Sequence, residues 1–129
     1  MIAVDTSAVL AIILGEPDAH ELHERWLQET ESVISAATVL ECHLVMHGRP
    51  KIDPSEIGVL LGRMRVRIEA FDDVLLPIAT EAHRQYGKGR HKASLNFGDC
   101  MSYALAKFHD VPLLCKGEDF RYTDVEIAA

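Results

Sequence analysis

A chain of 129 residues, 48% of them hydrophobic and with a formal net charge of −7, is long enough for one domain with a proper core and short for two. The apolar run Ala8 to Leu14 is far below a bilayer span and no basic leader precedes the first apolar stretch, so neither a membrane helix nor a signal peptide is expected. Cys42, Cys100 and Cys115 are odd in number and form no CxxC pair, which excludes a disulfide framework and a zinc ribbon and fits reduced thiols in a cytoplasmic protein.

In chain order, Ile2 to Val4 reads as a strand closed by Asp5, and a helix follows from about Ser7 to Leu14. The break Gly15-Glu16-Pro17-Asp18 precedes an acidic amphipathic helix to about Glu29, with Leu22, Trp26 and Leu27 as its apolar side. Ser32 to Ser35 is a second strand, and the helix after it runs to about His47, where Gly48-Arg49-Pro50 stops it. Asp53 is placed to cap the next helix, with Pro54 in its first turn. Arg67 to Phe71 reads as a third strand, Leu75 to Gly87 as a helix and Gly87 to Arg90 as a loop. Phe97 to His109 has the clearest helical pattern, and Leu113 to Cys115 and Val125 to Ala128 supply the last strands. This alternation predicts an α/β fold: one domain over residues 1–129, with a mainly parallel sheet between helices joined by right-handed crossovers.

Four carboxylates stand where such a fold forms sites, at the carboxyl ends of strands and the starts of helices. Asp5 ends the first strand, Asp99 opens the Phe97 helix and Asp119 follows the Leu113 strand. Glu41 shares a helical face with Ala37, Leu44 and Val45, where a charge needs a partner. Each of Asp5 and Asp99 can also be read as a helix cap or a dipole partner. Converging carboxylates repel one another unless a cation sits among them, so the set points to hard divalent-cation chemistry on phosphates. Asp124 is a weaker candidate, and Asp72-Asp73 reads as a solvated loop.

Net acidity sits awkwardly with a nucleic-acid partner, but the charges are uneven. Arg84 to Gly98 contains no acid while Arg84, Lys88, Arg90, His91 and Lys92 crowd its first part, and Arg63, Arg65 and Arg67 form a second basic group. His43 and His47 lack the glutamate of a metalloprotease helix, no glycine-rich phosphate loop is present, and Ser7 and Ser94 have no nucleophile triad around them.

The segments IAVDTSAVLAIILGEPDA, ISAATVLECHLV, LNFGDCMSYALAK and LLCKGEDFRYTDV together resemble the PIN domain, and within it the VapC toxins, ribonuclease halves of bacterial VapBC modules. The resemblance covers nearly the whole chain in the family's order. It implies a three-layer α/β/α domain with an acidic pocket for Mg²⁺ or Mn²⁺, formed by Asp5, Glu41, Asp99 and Asp119, with Asp5 and Asp99 the firmest ligands. Cys115 and Gly117 stand where many PIN domains carry a hydroxyl residue and another acid. Thr6 or Ser7 would position a carboxylate or water, and Arg90 and Lys92 would grip RNA phosphates. The implied partners are a VapB-type antitoxin, an RNA substrate and a second copy in a homodimer, with apolar residues of the first helices (Leu10, Ile13, Leu14, Leu22, Trp26) suited to an interface or to the core. Two other classes stay open: a catalytically silent module whose acidic pocket receives a basic peptide, and a small-molecule phosphotransfer domain. For the second, Ser7 occupies the place of the second aspartate that such phosphatases need.

Overall fold

The computed structural model describes residues 1–129. Its elements are β1 (Ile2–Val4), α1 (Thr6–Leu14), α2 (Ala19–Leu27), β2 (Ser32–Ser35), α3 (Ala36–His47), α4 (Ser55–Arg63), β3 (Arg67–Glu69), α5 (Leu76–Tyr86), α6 (Phe97–His109), β4 (Leu113–Leu114) and a 3₁₀ turn (Asp119–Tyr122). The four strands form one parallel sheet in the order β3-β2-β1-β4. No helix is long and apolar enough to cross a membrane.

The period of two along each strand divides the core into two layers. Ile2, Val4, Ile34 and Leu114 point to one face, where they pack with Val9, Trp26, Met46 and Ile57 from α1 to α4. Ala3, Val33 and Leu113 point to the other, against Ala79, Ala82, Tyr103 and Leu105 of α5 and α6. The result is a three-layer α/β/α sandwich. Trp26 Nε1 donates to Ser32 Oγ across 2.9 Å, so the polar tip of the most bulky core side chain is satisfied where α2 meets β2.

The strand order sets where a site can form. The chain steps outward through β1, β2 and β3, then returns to the far side of β1 for β4. The crevice between the carboxyl ends of β1 and β4 is the switch point. Three helices begin with side-chain caps: Asp5 for α1, Ser35 for α3 and Asn96 for α6. Gly15 ends α1 at φ +64, a left-handed conformation that favours glycine.

Several expected boundaries move, each for a local reason. The third strand stops at Glu69 and not Phe71, because its partner β2 ends at Ser35, opposite Glu69, and turns into α3. Val125 to Ala128 is no strand but a single bridge from Ile127 to Leu113, since β4 offers only two residues before the chain turns away. Asp53 does accept the Ser55 amide at 2.9 Å, but α4 starts at Ser55 and Pro54 lies just outside it. Leu10, Leu22 and Trp26 are buried in this chain's own core, with Ile13 and Leu14 partly buried against it. Leu27, expected on the apolar side of α2, is instead 55% exposed, and further exposed apolar residues include Leu40 and Leu44 on α3, Leu76 on α5 and Phe97 on α6.

Candidate active site

Asp5 stands at the end of β1 and is only 3% exposed, yet no cation touches it. Neutral donors replace its water. Oδ2 accepts from the Ser7 amide at 3.0 Å and the Ser7 hydroxyl at 2.7 Å, and Oδ1 accepts from Ser102 Oγ at 2.5 Å. Ser102 is itself buried on α6, with Thr38 Oγ1 of α3 at 3.3 Å. The cap reading of Asp5 holds, and the same oxygen that caps α1 lies at the carboxyl end of β1.

Glu41 projects from α3 beside α1, where Thr6 Oγ1 donates a hydrogen bond to its Oε1. Its carboxylate also lies against the backbone of Gly98 at the start of α6. A Cβ on Gly98 would come within 1.9 Å of Glu41 Oε2, so this close approach needs glycine. The face Glu41 shares is not a core face, for Leu44 is 60% exposed and Val45 38% exposed. Asp99 follows Gly98 in a capping box: its amide donates to Asn96 Oδ1 at 2.9 Å and its Oδ2 accepts from the Asn96 amide at 3.0 Å. Burial, and then the negative charges of Asp5, Glu41 and Asp119, push the Asp99 carboxyl up to about 6 against the pull of the Asn96 amide. Asp99 thus lies within electrostatic reach of the other three expected carboxylates.

Asp119 is exposed at the head of the 3₁₀ turn and makes no side-chain hydrogen bond of its own. Burial and the Asp5 charge push the Cys42 and Cys115 thiols up to about 12. Oxygens with spare lone pairs remain on Asp5 Oδ1, Glu41 Oε2, Asp99 Oδ1 and both oxygens of Asp119. No three His, Cys, Asp or Glu side chains close into a tight cage anywhere in the molecule. An open, oxygen-only and uncompensated set of this kind fits a small hard cation that keeps several waters, as Mg²⁺ and Mn²⁺ do.

The other expected residues fall into place unevenly. Thr6 touches Glu41, and Ser7 touches Asp5 while accepting the Lys116 amide at 2.9 Å. Lys92 places its ammonium 4.8 Å from the Tyr122 ring centroid, beside the turn that Asp119 opens, and Arg90 is exposed on the same loop. Neither is bonded to the crevice. Arg67 is paired with Glu69 at 3.1 Å on the edge strand. Asp124 is held by the Tyr103 hydroxyl at 2.5 Å and by Lys107 at 3.1 Å, outside the crevice. Ser102, Thr38 and Gly98 are site residues that sequence reasoning missed. Ser102 sits three residues after Asp99, on the same helical face, which is the one signal that marked it. A 450 Å³ cavity lined by Phe71, Leu76, Ala79, Phe97 and Met101 is apolar and contains none of the four carboxylates.

The PIN domain family model matches residues 2–126. The chain is 45% identical over 123 residues to "Ribonuclease VapC" of Mycolicibacterium smegmatis, covering 95% of each. The crystal structure of Mycobacterium tuberculosis VapC20, described as a Sarcin-Ricin loop cleaving toxin, superposes with a TM-score of 0.69 at 20% identity, covering 97% of this chain and 98% of that one. A toxin-antitoxin complex from Klebsiella pneumoniae superposes with a TM-score of 0.71 at 17% identity, covering 93% of this chain and 90% of that one. The two structural likenesses bear on the fold.

Proposed function

The chain belongs to the PIN domain family, and from that premise we propose that it is the ribonuclease toxin of a type II toxin–antitoxin pair, cleaving RNA phosphodiester bonds with Mg²⁺ or Mn²⁺ in the acidic crevice. The observation that supports this reading is that Asp5, Glu41, Asp99 and Asp119 have no ion pair within the chain while Asp99 feels the negative charge of the other three. Asp5 and Asp99 are the main holders of the cation, with Glu41 and Asp119 completing the set. Such an ion, when bound, supplies Lewis-acid charge for the phosphoryl oxygens and lowers the pKa of water.

The chain's own residues do the rest. Ser7 and Ser102 hold Asp5 in one orientation, Thr6 holds Glu41, and the Asn96 capping box holds Asp99. Above about pH 6 Asp99 is ionised and able to take a cation. Arg90 and Lys92 meet RNA phosphates from the loop beside the Asp119 turn, which concentrates positive charge where an acidic protein needs it. The protein acts in the cytoplasm as a single domain over residues 1–129, and a VapB-type antitoxin silences it with a basic segment complementary to the crevice. A homodimer buries the exposed apolar residues Leu40, Leu44, Leu76 and Phe97.

The test compares wild type with Asp99→Asn, both free of antitoxin, on total cellular RNA with and without Mg²⁺ or Mn²⁺. Discrete fragments made by wild type only when metal is present, and a loss of at least about a hundredfold in the variant, are expected. Full activity in a folded Asp99→Asn protein overturns the site. A folded wild type that never cleaves favours the silent peptide-binding module instead.

A further inference from the structure

The loop that delivers Asp119 has few attachments. It leaves β4 at Cys115, passes Gly117 at φ +95, and carries Glu118 and Asp119 exposed until Phe120 re-enters the core at 4% exposure. Upstream of Asp119 it is fastened through Lys116. The Lys116 amide donates to Ser7 Oγ at 2.9 Å, the same hydroxyl that holds Asp5. The Lys116 ammonium reaches in the other direction, to the break between α1 and α2, where it bonds Glu16 Oε2 and lies 3.5 Å from Asp18 Oδ1. Asp18 Oδ1 is buried and accepts no hydrogen bond, so that ammonium is its compensation.

We infer that Lys116 is a positioning residue: with Glu16 and Asp18 it latches the Lys116–Asp119 loop to the α1–α2 turn and so sets Asp119 at the crevice. The inference rests on the ribonuclease reading above. It assigns Lys116 against its obvious alternative, since a lysine three residues from an acid that handles phosphodiesters is ordinarily a phosphate grip. Here two carboxylates already neutralise the ammonium and hold it toward the α1–α2 turn. Asp119, lacking a side-chain bond, takes its position from the anchors on either side of it. Phe120 supplies one by burial and Lys116 the other by charge.

The two assignments predict opposite outcomes. Lys116→Met should lower kcat by about tenfold or more, as expected when a catalytic group is misplaced by an ångström or less. It should raise the Mn²⁺ concentration needed for half activity, weaken Mn²⁺ binding to the RNA-free protein as read by electron paramagnetic resonance, and leave KM for RNA unchanged. Lys116→Arg should restore most of kcat. Glu16→Gln/Asp18→Asn, which leaves the lysine in place, should reproduce the loss seen with Lys116→Met and carries the test if that variant fails to fold. RNA affinity and its salt dependence are measured in an Asp99→Asn background. If Lys116→Met reduces the salt slope by about one while Glu16→Gln/Asp18→Asn tightens RNA binding, the lysine is a phosphate grip and the latch is overturned. Unchanged kcat and Mn²⁺ binding in folded Lys116→Met overturn it as well. Should wild type cleave no RNA at all, the ribonuclease reading fails, while the Mn²⁺ binding measurement still decides the latch.

Discussion

Helix α6 serves two carboxylate corners on opposite terms. Midway and late in the helix, Tyr103 and Lys107 meet Asp124 with a hydroxyl and an ammonium. Burial works to raise that carboxyl, yet the Tyr103 and Lys107 contacts outweigh it and hold it below the ordinary carboxylate range. In the first turn Asp99 has the reverse setting: burial and three neighbouring negative charges push it up to about 6. One corner is complete within the chain. The other is left short of positive charge, although the chain shows at Asp124 that it can supply a lysine where it needs one. That contrast distinguishes a carboxylate that braces the fold from carboxylates arranged to receive a cation.

The comparison can be strained at several points, and after Asp99→Asn itself the largest effect is expected at Gly98. Gly98→Ala puts a Cβ where Glu41 Oε2 now lies, and the flexible Glu41 side chain, not the backbone, has to give way. Metal-dependent cleavage should fall roughly ten- to a hundredfold, while the melting temperature moves little. Ser102→Ala removes a buried donor from Asp5 Oδ1 and should destabilise the metal-free protein by about 1–3 kcal/mol in urea titration.

Asp99 also sets a pH dependence. A carboxyl at about 6 when folded and 3.8 as a free group binds more protons in the folded state, so its stabilising contribution is full below 3.8 and lost as pH rises through about 6. The metal-free protein should therefore lose on the order of 1–2 kcal/mol across that window after allowance for solvent screening, measured by denaturation in chelator at pH 4 and 7. Asp99→Asn should abolish that part of the slope, and a divalent cation should offset the loss at pH 7. The smallest effect belongs to the completed corner: Asp124→Asn should cost about 1 kcal/mol or less and leave cleavage within about twofold of wild type.

Much of this architecture was legible because alternation of strand and helix is a strong pattern. Asp5, Glu41 and Asp99 stood out by position, whereas Asp119 was an ordinary loop aspartate until the resemblance of the KGEDF segment singled it out. What stayed hidden depends on contacts between distant segments. Ser102 is an ordinary helical serine until the fold brings it to Asp5, 97 residues away. Gly98 looked like a helix-start glycine, and its need for an absent Cβ arises only from Glu41 on another helix. The extra strand at Val125 to Ala128 and the long third strand were overextended, since the length of a strand is set by its partner and not by its own β-propensity. The apolar residues of α1 and α2 were ambiguous for a related reason: periodicity identifies an apolar face but not what covers it.

The pairing of β1 with β4 bears on how the molecule comes into being. Ala3 and Val4 find their partners at Leu113 and Leu114, so the strand made first waits for one made among the last. At typical synthesis speeds that interval is roughly 5–20 s, during which Asp5 has neither the Ser102 hydroxyl nor the Lys116 loop beside it. A nascent chain held on the ribosome therefore carries an unassembled centre. The surroundings of Asp5 are complete only once the closing segment has emerged and docked.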